Sequence, residues 1–165
     1  MKMLKIANTT QIALTIKTVD ATPEEQRMPK KGKHLSSLIR EFANAYPALK
    51  QQRTAFNRCK FMSYELTLYL RRRGFPARMV HIQNCPKPTY PDPHPKWAAK
   101  RRDQWSHYVV GLGKWAIDMT ARQFDDSVHV PLVMPLTKLR EQWLTVEDDR
   151  FLNRIVNDVL KADIQ

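Results

Sequence analysis

Hydrophobic and polar positions divide this chain into short segments of changing period. Residues 3–19, MLKIANTTQIALTIKTV, are rich in β-branched side chains with polar interruptions from Asn8 to Gln11, which predicts one or two strands. Residues 20–34 are polar and hold two Pro and a Gly, the signature of a surface loop. Leu35, Leu38, Ile39, Phe42 and Tyr46 then recur at spacings of three and four, predicting an amphipathic helix that ends before Pro47. A second helix is predicted over 58–73. Met62, Leu66 and Leu70 form one apolar stripe and Phe61, Tyr64 and Leu68 another, so both flanks are expected to be covered. Asn57 or Thr54 can cap its start, Arg71 to Arg73 suit the negative end of its dipole, Gly74 suits a left-handed C′ position, and Pro76 blocks continuation.

Downstream, residues 77–82 alternate in character and predict a strand. Residues 84–104 contain five Pro, which excludes a central strand and predicts a lid-like excursion over the surface. Residues 105–119, WSHYVVGLGKWAIDM, predict a β-hairpin with a Gly-bearing turn. The rest holds short apolar pieces near 128–134, breakers at Pro131 and Pro135, and two predicted helices near 137–144 and 147–161. The chain is thus expected to form one domain in five parts: 1–34 strands and loop, 35–83 helices plus strand, 84–104 Pro-rich loop, 105–124 hairpin, and 125–165 helical tail.

Composition narrows the class. A compact chain of 165 residues buries about 68–70% of its unfolded surface, enough for a core without staples. The hydrophobic share of 42% and aromatic share of 9% argue against a disordered polycation, and two Cys exclude a disulfide scaffold. No stretch has the uninterrupted apolar length of a membrane span, and the first residues do not read as a signal peptide, so the expectation is a soluble cytoplasmic protein, acting in its own cell or delivered into another. The net charge is +12. Basic groups outnumber acidic ones by 12 to 4 in residues 1–60 and by 13 to 6 in 61–140, and are outnumbered 6 to 3 thereafter. Such a body suits an acidic protein partner, an anionic membrane surface or a nucleic acid, the last approached through the Lys and Arg runs at 29–33, 71–73 and 100–102.

The residues that carry chemistry occur in the order Cys59, His107, Asp118. Thiol catalysis needs a thiolate, a base that shares its proton, and a group that orients the base. Cys59 lies at a predicted helix start, where backbone N–H groups and the helix dipole lower a thiol pKa. A hairpin turn centred on Leu112 and Gly113 sets His107 directly opposite Asp118, whereas a turn on Gly113 and Lys114 opposes His107 with Thr120. The first register is the expected one, and in it the directly opposed side chains are close enough to hydrogen-bond. Cys85 reads as a loop thiol, because His81 and His94 give it no zinc-ligand spacing, and no phosphate loop or dinucleotide fingerprint occurs. No cofactor or metal is expected.

The phrase Asn57-Arg58-Cys59-Lys60-Phe61-Met62-Ser63, followed by Trp105-Ser106-His107-Tyr108-Val109-Val110 and by residues 115–124, WAIDMTARQF, resembles the papain-like superfamily. Within it, the pattern is most similar to the transglutaminase-like, glutamine-deamidase and toxin-associated branches. The resemblance covers residues 54–124. It implies an α+β fold in which N-terminal helices, one bearing the Cys, pack on an antiparallel sheet. It also implies Cys59 as nucleophile, His107 as general base and then acid, and Asp118 as the orienting carboxylate. Papain-type proteases place a Gln about six residues before the Cys, where this chain has Arg53, with Gln52 one residue further back. The oxyanion donor is therefore open among Asn57, Gln52 and the Cys59 backbone N–H, while Gln123 and Trp105 are candidates to line the substrate site.

Two classes of function follow. One is cysteine-dependent acyl transfer on a protein or peptide amide, covering deamidation, transamidation and proteolysis. The other is binding without catalysis, by a basic nucleic-acid module or by an inactive papain-like protein. Oligomeric state is not legible.

Overall fold

The computed structural model describes residues 31–85 and 90–163, with backbone alone at 31–33. The strands expected within residues 3–19 lie outside the described residues. The described elements, in chain order, are helices α1 (Lys31–Ala45), α2 (Gln52–Ala55) and α3 (Cys59–Arg71), strand β1 (Arg78–Gln83), the short helix α4 (Pro95–Ala98), and strands β2 (Ser106–Leu112) and β3 (Trp115–Asp118). Strand β4 (Leu132–Pro135), helix α5 (Leu136–Gln142), strand β5 (Thr145–Asp148) and helix α6 (Arg150–Ala162) complete them. The fold is α+β, and its five strands form one antiparallel sheet in the order β4-β3-β2-β1-β5.

Each face of the sheet is covered by a different kind of layer. On one face, Leu35, Leu38, Ile39 and Phe42 of α1 and Met62, Leu66 and Leu70 of α3 pack on Val110, Leu112 and Ile117. Leu68 of α3 and Leu152 and Val156 of α6 pack on Met79. The opposite face, with Val80, Ile82, Val109 and Ala116, lies against Tyr90, Trp97, Trp105, Phe124 and Trp143. Alternation along β1 and β2 explains the division, since successive residues point to opposite faces.

The Cys-bearing helix follows its sequence signals closely at one end. Gly74 adopts φ +80°, and the Phe75 N–H bonds the Leu70 carbonyl at 3.1 Å while the Gly74 N–H bonds that of Arg71 at 2.9 Å. That is the Schellman closure for which a glycine is suited. At the other end neither Asn57 nor Thr54 caps: Arg58 occupies the N-cap without a side-chain bond, and Asn57 takes φ +59°. A left-handed Asn turns the backbone tightly between α2 and α3, and so leaves its side chain outside the capping geometry. Phe61, expected to be covered, is 51% exposed.

Four other expectations need correction. Residues 31–34 belong to α1 rather than to the preceding loop. The segment after β1 is no surface lid: Tyr90 and Trp97 are buried, and it supplies much of the aromatic layer. Its prolines break it into one-turn pieces, but its aromatic rings still need burial. The tail is not purely helical, because β4 and β5 form the two edges of the sheet. Each is four residues long, too short for a period to declare itself, and Pro135 is tolerated because β4 is an edge strand.

The last correction is the hairpin register. Val110 pairs with Ile117, Gly111 with Ala116 and Leu112 with Trp115, so the turn is Gly113–Lys114. Gly113 takes φ +54° at the first central position, where a side chain would be strained, and Leu112 is buried in the helical layer. The expected register would have put Leu112 in the turn, away from that core.

Candidate active site

Cys59 is the first residue of α3, whose ladder begins with the Met62 N–H bonded to the Arg58 carbonyl at 2.9 Å. The N–H groups of Cys59 to Phe61 precede that bond and point out of the helix N-terminus. Phe56, just upstream, packs in the aromatic layer beside His94 and Trp97, whereas Met62 packs in the helical layer. The chain thus crosses from one face of the sheet to the other at Cys59.

His107 on β2 lies on the aromatic face. It is 1% exposed, with its ring edge-on to Phe124 at 4.8 Å and stacked on Trp143 at 6.2 Å. Asp118, at the end of β3, accepts from His107 Nε2 at 2.7 Å. The pair forms although the register is shifted. In the observed register His107 would face Thr120 and reaches Asp118 diagonally, a separation that an imidazole and a carboxylate together can span. Thr120 supports the carboxylate instead: its backbone N–H donates to Asp118 Oδ1 at 2.8 Å and its hydroxyl to the same oxygen at 3.3 Å.

Cys59 and His107 interact directly. Burial works against ionisation of the thiol, but the hydrogen bond and charge of His107 and the backbone N–H of Tyr108 outweigh it, against an opposing contribution from Asp118; the thiol pKa lies below its ordinary value. For His107, burial disfavours the charged ring, yet Asp118, by charge and hydrogen bond, and then Cys59 push its pKa up to about 10. The two groups titrate as a pair. The state they favour is a thiolate beside an imidazolium, bounded below by the lowered thiol pKa and above by about 10.

The other sequence candidates separate. Asn57 is exposed beside the helix start. Gln52 donates its amide to the Asp92 carbonyl at 2.8 Å and ties α2 to the segment before α4. Trp105 is a core residue, 1% exposed, with its indole N–H donating to the Trp97 carbonyl at 3.1 Å, so it does not line a substrate site. Gln123 is fully buried behind His107, with its amide nitrogen 3.1 Å from His107 Nδ1, and so does not meet substrate either. Cys85, read as a loop thiol, is fully buried. The sequence reading missed Thr120 and Trp97 as supports of the site; the alternative hairpin register had set Thr120 opposite His107, and Trp97 lay within the Pro-rich segment.

Two of the basic runs have local partners. Arg72 pairs with Asp163 at 2.8 Å and Arg73 lies over the Tyr69 ring at 3.6 Å. Lys100 lies over Trp97 and Arg102 over Trp105, and Arg101 pairs with Asp103. An open cavity of about 1030 Å³ lies at the hairpin end, lined in part by Arg78, Lys114, Lys138 and Arg140, and it contains none of Cys59, His107 and Asp118. Among the described residues no helix is long and apolar enough to cross a membrane, and no group of three or more His, Cys, Asp and Glu could hold a metal ion. Compared with protein families, curated proteins and solved structures, this chain matches none.

Proposed function

We propose that this chain is a papain-like cysteine enzyme that transfers the acyl group of an amide, with a side-chain carboxamide of a protein or peptide as its substrate. The observation that carries the reading is His107, bonded to Asp118 at 2.7 Å and coupled to a thiol at the first turn of a helix. The Cys59 thiolate attacks the amide carbon, a C–S bond forms, and the carbonyl oxygen takes the negative charge. The N–H of Cys59, which precedes the helix ladder, serves in this reading as the donor to that oxygen. The C–N bond then breaks, and ammonia leaves with the proton carried by His107. Water attacks the thioester and gives its proton to His107; the C–S bond breaks and the thiolate is restored. Asp118 keeps the ring oriented throughout.

Exposure favours the slender substrate. Cys59 presents 8% of its surface and His107 only 1%, an approach that suits a flexible side-chain amide better than a polypeptide backbone. The net charge of +12 steers the enzyme toward acidic protein surfaces. Against the nucleic-acid reading, the cations of two dense basic runs are engaged by neighbouring rings and carboxylates.

The test is ammonia release from a panel of Gln- and Asn-bearing proteins, with mass spectrometry of the products. The expected result is conversion of specific amides to acids, abolished in Cys59→Ala. Peptide cleavage or amine incorporation at Cys59-dependent sites would replace deamidation with proteolysis or transamidation. Absence of all three, with salt-sensitive oligonucleotide binding intact, would overturn the enzyme reading.

A further inference from the structure

The side chains behind His107 form a network whose protons can run in only one sense when the ring is neutral. Trp97 Nε1 is a donor and nothing else, and it lies 2.9 Å from Gln123 Oε1, so the Gln123 amide is fixed with its oxygen toward Trp97. Its NH2 group must then face the other way, 3.1 Å from Thr120 Oγ1 and 3.1 Å from His107 Nδ1. Thr120 spends its hydroxyl proton on Asp118 Oδ1 and so accepts from Gln123. His107 Nε2 carries the proton shared with Asp118 Oδ2. While the ring is neutral, Nδ1 is thus left as the acceptor for Gln123. Gln123 is fully buried, and Thr120 is 1% exposed, so neither can exchange these partners for water.

We propose that Gln123 is a positioning residue that holds His107 as its Nε2–H tautomer and opposes the pull of Asp118 toward the imidazolium. The inference deepens the proposed function and rests on that reading only for its consequence in catalysis. With Nε2 bonded to Asp118, Nδ1 is the nitrogen that must take the Cys59 proton. Gln123 can donate to Nδ1 only while Nδ1 is bare, so each transfer of the thiol proton breaks that bond. The charged and titratable groups around the ring are Asp118 on β3, Cys59 on α3 and His81 on β1. Asp118 and Cys59 favour the charged ring, His81 is a weak like-charge neighbour when protonated, and the Phe124 and Trp143 rings carry no charge. Gln123 is the group whose hydrogen bond selects the neutral form. Its effect is to keep the proton mobile: an imidazolium held too firmly by Asp118 would be a poor acid toward the leaving group.

The sign of the predicted effect separates this role from simple structural support. Gln123→Met keeps the volume and removes the donor. In a Cys59→Ala background, where no thiol contributes, the His107 ring is expected to titrate at higher pH with Met at 123 than with Gln. With the thiol present, Gln123→Met is expected to shift iodoacetamide labelling of Cys59 to lower pH, speeding it about two- to tenfold below the wild-type midpoint, the worth of one hydrogen bond. Loosened packing would instead weaken the His107–Asp118 bond and move both profiles the other way. An unchanged or lowered His107 titration in the Met variant would overturn the proposal. If that variant does not fold, the Cys59→Ala protein alone decides: a through-hydrogen-bond nitrogen–nitrogen coupling between Gln123 Nε2 and His107 Nδ1, at a pH where the ring is neutral, is expected, and its absence would refute the assignment. Loss of amide hydrolysis with these ring signatures intact would sink the proposed function and leave the role of Gln123 standing.

Discussion

Replacing Asp118 by Ala is expected to destabilise the fold by about 3–5 kcal/mol, because it leaves a buried histidine without the partner that its environment requires. His107 is 1% exposed, and Asp118 also binds the Thr120 N–H and hydroxyl, so the substitution strands three donors in an apolar layer. The loss has a pH signature. His107 has its folded-state pKa raised from 6.5 to about 10, so the stability it contributes is fully present below 6.5 and is lost as pH rises through about 10. The gap between wild type and Asp118→Ala should therefore narrow as pH approaches 10. Urea unfolding at a series of pH values reads it directly. A pH-independent gap, or none, would mean that the His107–Asp118 pair is not held in the charged form.

Replacing His107 by Ala is expected to lower kcat/KM on an amide substrate by about 10²–10⁴-fold, the usual contribution of a positioned acid–base group. The same variant removes the hydrogen bond and the charge that offset burial at Cys59, so the thiol pKa rises toward and above its ordinary value. The activity loss should thus be steepest at low pH and partly relieved in alkali. A variant that kept its turnover would show that His107 is only a core histidine, packed between Phe124 and Trp143.

The parts of this site that were legible in the sequence are those governed by local signals. The Cys-bearing helix declared itself through Met62, Leu66 and Leu70 at helical spacing and through Gly74 after Arg73, and those residues are buried and closing, respectively. The order Cys59, His107, Asp118 pointed to thiol chemistry, and the fold brings the three side chains together. The route by which they meet was not legible. The hairpin turn is decided by where Leu112 is buried, a long-range matter, and the His–Asp bond survives a register shift only because it can run diagonally. Gln123 and Trp97 are 26 residues apart in sequence and become neighbours only when the Pro-rich segment folds beneath the sheet. Nor did the polar Thr145–Asp148 announce a strand, since β5 pairs with β1 at an edge and its alternation is too short to read.

The most direct test of the account is the rate at which iodoacetamide captures Cys59 as a function of pH, followed by peptide mass spectrometry with Cys85 as the internal comparison. Cys85 is fully buried and is expected to stay unlabelled in the native protein. Cys59 is expected to label with a midpoint below the ordinary thiol value of about 8.5, and to lose that advantage in His107→Ala. A midpoint at or above about 8.5, or one indifferent to His107, would contradict the claim that Cys59, His107 and Asp118 form an activated thiol.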